Sequence, residues 1–172
     1  MLRSLVITVL LLILTGLSLV SPGLLQAAPQ KGKNLPPFEA TTVTGQRITL
    51  GTYAGKVLLI AVTSDDCNAC KKGIPGMGEL FKRYESQGFQ LLGLIYGAKF
   101  TAQNLKDYIN DYKVGYTMAM AEEKTVKNTM GIFSIPCYLI LDRKGTIAGI
   151  FRGYNETNMK LMEKQVKNML AE

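Results

Sequence analysis

Two cysteines, Cys67 and Cys70, stand two residues apart in the stretch "TSDDCNACKKGIP" at residues 63–75. The chain of 172 residues has one further cysteine, Cys137, and no histidine. Three kinds of site use such a pair: a metal clip, a structural disulfide, and a redox pair that exchanges disulfides with other proteins. The flanking residues and the elements that position the pair favour one of these.

Thiol-disulfide exchange is the chemistry that the position of the pair favours. The apolar run "KVLLIAV" before it is typical of a buried strand, and helical periodicity begins at Cys70. At such a junction, free backbone N–H groups and the positive end of the helix dipole stabilise a thiolate at Cys67. Cys70, one turn further on, can attack a mixed disulfide formed at Cys67. We therefore predict Cys67 as the nucleophile and Cys70 as the resolving cysteine.

Metal and structural interpretations compete with this one. A zinc site needs four ligands. Besides Cys67 and Cys70 the sequence has one more thiol and no histidine, so it lacks the usual zinc ligands for the fourth position. A purely structural disulfide around two intervening residues would remove little entropy from the unfolded chain. A Cu(I) site stays open, because two or three cysteines with a methionine such as Met77 form a soft ligand set. A Cu(I)-binding or metal-delivery module is thus the alternative function.

The N-terminal block has the pattern of an export signal. Arg3 precedes an apolar run at residues 5–20, and a Ser-Pro-Gly breaker is followed by the small residues Ala27 and Ala28. An uncleaved membrane anchor is the alternative, although sixteen helical residues reach about 24 Å against a hydrocarbon core of ~30 Å. We predict a protein exported to the periplasm or another extracytoplasmic space, where disulfides persist.

Composition indicates one domain and no nucleic-acid partner. The chain is long enough for one buried core, and its net charge of +7 comes from scattered Lys and Arg rather than from a basic face. The predicted organisation is a signal peptide at residues 1–27, a flexible lead-in rich in Pro, Gly and Lys at 28–37, and one domain at 38–172.

Strand and helix patterns alternate along this domain, which predicts an α/β fold. Strands are expected at residues 46–50, 56–62, 89–97, 116–120, 136–142 and 146–153, and helices at 70–87, after Thr101, at 124–130 and after Asn155. This order predicts a central mixed sheet, parallel at the helical crossovers and antiparallel at the last hairpin, with helices on both faces.

Two segments carry a resemblance to a known family. "GKVLLIAVTSDDCNACKKGIP" and "MGIFSIPCYLILDRKG" resemble the thioredoxin superfamily, and within it the exported TlpA/ResA-like thiol-disulfide oxidoreductases. The resemblance implies a thioredoxin-like fold, no organic cofactor, clients with protein thiols or disulfides, and a membrane-bound or periplasmic dithiol as electron donor. It also implies that Pro136 is cis and faces the cysteines, that Ile135 offers backbone groups to a client, and that the reaction runs as a reduction.

Three positions depart from the pattern of that family. Asp66 stands where a tryptophan is usual, Ala61 where thioredoxin has a buried aspartate, and Gly73 where members that reduce apocytochrome c often have a glutamate. These departures favour a general or different periplasmic client. The net effect of the charges beside Cys67 is left open, since Asp66 disfavours a thiolate and Lys71 favours one.

Cys137, directly after Pro136, has two interpretations. As a buried apolar thiol it packs in a core strand. As an accessory thiol it lies within reach of Cys67 or Cys70 and adds a third sulfur for exchange or for Cu(I).

Overall fold

The computed structural model describes residues 28–97 and 100–172, so the predicted signal peptide lies outside the described residues. The strands are β1 (Ala40–Thr42), β2 (Arg47–Ile48), β3 (Val57–Ser64), β4 (Phe89–Tyr96), β5 (Thr117–Met120), β6 (Cys137–Leu141) and β7 (Ile147–Arg152). The α-helices of the described part are α1 (Asn68–Tyr84), α2 (Ala102–Asp111) and α3 (Glu156–Leu170), with shorter helical turns at Leu50–Tyr53, Glu85–Gln87 and Thr125–Thr129. None of these helices is long and apolar enough to cross a membrane.

The strands form one mixed sheet in the order β2-β1-β5-β4-β3-β6-β7. The pairs β3–β4 and β4–β5 are parallel, whereas β1–β2, β1–β5, β3–β6 and β6–β7 are antiparallel. Parallel neighbours need a crossover, which α1 and α2 provide, while β6 and β7 are joined by a tight hairpin. The predicted mixed α/β sheet is confirmed.

Alternating side chains of the sheet form two cores, one on each face. Leu59 and Ala61 of β3 pack with α1 and α3, whereas Ile60 and Val62 pack on the opposite face beside the short helical turn at Thr125–Thr129. The side chains of β3 are buried along its whole length because both faces are covered. The three α-helices share one face, and the short helical segments Leu50–Tyr53 and Thr125–Thr129 lie against the other.

Each α-helix begins at a polar cap that the sequence contains. Cys67 precedes α1, and its sulfur accepts the backbone N–H of Cys70. The side chains of Thr101 and Asn155 cap α2 and α3 in the same way, as their residue types predicted. Helix α1 runs unbroken through Pro75, which is exposed to solvent. The end of β3 and the cap of α1 thereby fix the position of the cysteine pair.

The segment at residues 28–37, predicted as a flexible lead-in, makes backbone contacts with the domain from Gly32 onward. The N–H of Gly32 donates to the carbonyl of Ile147 at 2.8 Å, the N–H of Ile147 donates to the carbonyl of Lys33 at 2.9 Å, and Asn34 bridges Thr146. Leu35 is 3% exposed in the core. From Gly32 onward the segment is therefore held against the start of β7 rather than being a flexible lead-in, because its backbone pairs and its leucine is buried.

Two local features differ from the prediction or extend it. The short strand β1, which pairs with β2 and β5, has no signal in the sequence as strong as those of β3 and β4. The hairpin turn before β7 is formed by Asp142, whose carboxylate accepts the N–H groups of Lys144 and Thr146, and by Gly145 at φ 84°.

Candidate active site at Cys67 and Cys70

Cys67 and Cys70 form a disulfide at the start of α1, with their Cα atoms 5.2 Å apart. Cys67 is the cap residue, with extended backbone, and Cys70 lies in the first turn. The N–H groups of Cys70 and Lys71 both donate to the carbonyl of Cys67, at 3.0 and 3.1 Å. The helical geometry predicted from the spacing thus brings the two sulfurs into bonding distance.

The two cysteines differ in exposure. Cys70 is only 6% exposed, whereas Cys67 is half-buried at the surface. The sulfur of Cys67 also accepts the N–H of Cys70, with nitrogen and sulfur 3.2 Å apart. A thiolate at Cys67 would have this hydrogen bond and the positive end of the α1 dipole to stabilise it.

The charged residues beside the pair have partners other than the sulfur of Cys67. The hydroxyl of Ser64 donates to the carboxylate of Asp66. The ammonium group of Lys71 lies over the ring of Tyr112, 5.5 Å from its centroid. Asp66 and Lys71, whose charges have opposite expected effects on a Cys67 thiolate, therefore each contact another side chain.

The predicted client-binding residues lie next to the pair. The Ile135–Pro136 peptide bond is cis, as the resemblance implied. Pro136 and Cys70 line the same small cavity, whereas Ile135 lines an open cleft with Asp65 and Asp66. The structure thereby brings both cysteines, Ile135 and Pro136 to one end of the sheet.

A cavity of about 20 Å³ lies behind Cys70, between α1, α2 and the sheet. Ala61 and Gly73, two of the positions that depart from the family pattern, line it, and among residues 28–97 and 100–172 no carboxylate does. The polar side chains on its wall are Thr63, Tyr108, Tyr116 and Tyr138. Sequence reasoning missed these tyrosines as a group, because they come from α2, the segment before β5, and β6.

Cys137 lies on the other face of the sheet. Its side chain is 1% exposed and belongs to the core with Leu139 and Leu141, whereas Tyr138 faces α1 and the cavity behind Cys70. The interpretation of Cys137 as an accessory thiol is not supported, because the sheet separates it from the α1 face. Burial raises the pKa of the Cys137 thiol to about 11, so it stays protonated at neutral pH.

We predict that Cys137 is unreactive in the folded protein. In the full chain with the Cys67–Cys70 disulfide intact, iodoacetamide should label Cys137 at a negligible rate near neutral pH and at the rate of a free cysteine in denaturant. The labelling rate should rise only as the pH approaches about 11, because the folded state holds the thiol protonated until then. Rapid labelling of the folded protein at pH 8 would contradict the buried placement.

The three cysteines considered for Cu(I) do not converge. Met77, on the buried face of α1, lines the cavity behind Cys70, but Cys137 lies in the core of the opposite face of the sheet. Among residues 28–97 and 100–172, no group of three His, Cys, Asp or Glu side chains is placed to hold a metal ion. The Cu(I) alternative is therefore not favoured.

Comparison with known proteins identifies the family. The model of the AhpC/TSA family matches residues 31–150, which include both cysteines, Ile135 and Pro136. The chain belongs to the AhpC/TSA family. This match spans the mixed sheet and ends within β7, so of the three α-helices described it includes α1 and α2 and leaves out α3.

Relatives of similar sequence carry a name that agrees with the resemblance predicted from the sequence. "Thiol-disulfide oxidoreductase ResA" of Bacillus thuringiensis subsp. konkukian (strain 97-27) is 26% identical over 138 residues, covering 80% of this chain and 78% of the relative. The protein of the same name from Bacillus subtilis (strain 168) is 22% identical over 123 residues, covering 72% of this chain and 68% of the relative. The resemblance to ResA-like proteins is confirmed.

Solved structures of similar fold agree. A putative thiol:disulfide interchange protein DsbE from Chlorobium tepidum superposes with a TM-score of 0.71 at 20% identity, covering 83% of this chain and 99% of that one. A putative protein disulfide isomerase from Bacteroides thetaiotaomicron gives a TM-score of 0.74 at 23% identity, covering 84% of this chain and 92% of that one. At this identity the likeness concerns the fold, and the predicted thioredoxin-like fold of this AhpC/TSA member is confirmed.

Proposed function

We propose that this protein is an exported thiol-disulfide oxidoreductase that reduces disulfides of client proteins through Cys67 and Cys70. The observation that carries the proposal is the pair itself: a disulfide at the start of α1, with one sulfur at the surface and the other buried. The names of the ResA relatives support the same activity.

In the proposed reaction the Cys67 thiolate attacks one sulfur of a client disulfide. A mixed disulfide forms between Cys67 and the client, and the other client sulfur leaves as a thiolate that takes up a proton. The Cys70 thiolate then attacks the sulfur of Cys67, so the second client sulfur leaves and the Cys67–Cys70 disulfide forms. The client gains two electrons and two protons, and the protein loses them.

Each remaining group has a proposed task in this cycle. Ile135 and Pro136, beside the exposed edge of the pair, bind the client segment, with backbone groups of Ile135 accepting or donating hydrogen bonds. A membrane-bound or periplasmic dithiol partner then reduces the Cys67–Cys70 disulfide, which regenerates the two thiols of the protein. Export rests on the N-terminal pattern at residues 1–27, either as a cleaved signal or as a membrane anchor.

The equilibrium of the purified full chain against glutathione and dithiothreitol buffers tests the proposal. Trapping by alkylation should show a reversible two-electron couple at Cys67 and Cys70, absent from Cys67→Ser. A reductase should lie near the low potentials of thioredoxin, about −270 mV, and an oxidase near about −120 mV. If Cys67 and Cys70 are not reversibly oxidised and reduced, the proposed activity is wrong. A parallel Cu(I) titration that saturates only with both cysteines present would then favour the metal-binding module.

A further inference from the structure

Cys70 has to become a thiolate in a place that disfavours charge. It is 6% exposed, and the cavity behind it is lined mainly by apolar groups, among them Ile74, Met77 and Met118. Desolvation of this kind raises the pKa of a thiol. The resolving step of the proposed function needs the opposite, so a group near Cys70 must stabilise its negative charge.

The polar groups that share the cavity with Cys70 are hydroxyls. The titratable ones are Tyr108 from α2, Tyr116 from the segment before β5 and Tyr138 from β6. The strands β3 and β4 contribute Ala61, Val62, Thr63 and Gly93, which do not titrate. On α1 itself, the cavity meets Gly73, Ile74 and Met77 besides Cys70, so no lysine or carboxylate of the described residues lines it.

The hydroxyl of Tyr138, which lines the cavity, lies against the helix of Cys70. A side chain at Gly73 would begin 2.9 Å from this hydroxyl. Gly73 follows Cys70 by three positions, so the two residues share one face of α1. The hydroxyl therefore lies against the face of α1 that carries Cys70, in the cavity that Cys70 also lines.

We infer that the Tyr138 hydroxyl donates a hydrogen bond to the Cys70 thiolate, directly or through one water in the cavity, and so prepares Cys70 to resolve the mixed disulfide. The inference rests on the proposed function. A cavity of about 20 Å³ has room for one water. The Cys70 proton leaves to solvent, and Tyr138 keeps its own, because burial raises the pKa of the tyrosine and keeps it a donor.

The test is the alkylation rate of Cys70 against pH in the full-length Cys67→Ser variant, where Cys70 is the reactive thiol and Cys137 stays buried. Adding Tyr138→Phe should move the profile to higher pH and slow alkylation at neutral pH by about threefold to fivefold. The fraction of Cys70 present as thiolate falls, and the greater nucleophilicity of a thiolate with a higher pKa offsets part of that loss. Replacing Tyr138 by 3-fluorotyrosine, a stronger donor of similar size, should move the profile the other way.

Tyr84→Phe is the matched control, because it also removes the hydroxyl of a tyrosine that packs on the α1 face. Tyr84 lies fourteen residues beyond Cys70, about 21 Å along α1, and hydrogen-bonds to Glu163. Its profile should match that of the parent. Equal profiles for Tyr138→Phe and the parent, or equal shifts for Tyr84→Phe and Tyr138→Phe, would overturn the inference. If Tyr138→Phe does not fold, an unmoved profile with 3-fluorotyrosine would do the same. The assay needs no client, so failed turnover in the wild type would instead count against the proposed function.

Discussion

Replacement of Cys70 by serine is expected to leave Cys67 covalently joined to the first disulfide substrate that it attacks. Cys67, half-buried at the surface, can still form the mixed disulfide, but the buried Cys70 that would release the client is gone. Steady-state turnover of a protein disulfide should fall to the background rate of the reductant. The mixed disulfide should accumulate in a stoichiometry of one client per chain and be visible on a non-reducing gel.

Two matched variants separate this result from general damage. Cys67→Ser should lose turnover to the same background without accumulating any mixed disulfide, because Cys70 lies too deep to meet a protein client. Cys137→Ser should turn over at the wild-type rate, since its thiol lies on the opposite face of the sheet. The assigned order of attack would be wrong if Cys67→Ser trapped clients and Cys70→Ser did not.

The main elements of the fold were predictable from local patterns. The eight residues of β3 and of β4 read as buried runs, and the polar residues Thr101 and Asn155 marked the starts of α2 and α3. Strand β1 and the hydrogen bonds of Gly32 were not predictable, since they depend on partners far along the chain. Pairing of that kind is decided by tertiary packing, which a window of neighbouring residues does not contain.

The candidate site was predictable only where its residues are adjacent in sequence. The CxxC spacing located the pair, and the resemblance located Ile135 and Pro136. The face of Cys137 follows from the register of β6, in which Cys137 lies beside Val62 and its neighbour Tyr138 beside Ala61. A strand turns successive side chains to opposite faces, so adjacency to Pro136 in sequence said nothing of access to Cys70. The tyrosines around the cavity come from three elements and carry no shared spacing.

Gly73→Ala is expected to destabilise the protein, although the same change at Gly78 of α1 should stabilise it. At an interior helix position, alanine normally makes the folded state more stable than glycine does, by about 0.5–1 kcal/mol. At Gly73, however, the new Cβ would lie 2.9 Å from the Tyr138 hydroxyl and 3.0 Å from the Tyr154 ring. Overpacking of this kind costs about 1–3 kcal/mol, which exceeds the gain in helix propensity.

Gly78 provides the internal control for that prediction. It lies in the same helix, and a Cβ there would meet nothing within 4 Å, so Gly78→Ala should raise the midpoint of urea unfolding. Gly73→Ala should lower the midpoint, and adding Tyr138→Phe should restore part of the loss, because the nearer of the two obstructing groups is removed. The remaining deficit should come from Tyr154. If Gly73→Ala stabilised the protein as much as Gly78→Ala, the Tyr138 hydroxyl would not lie beneath α1, and the hydrogen bond inferred for Cys70 would lose its geometric basis.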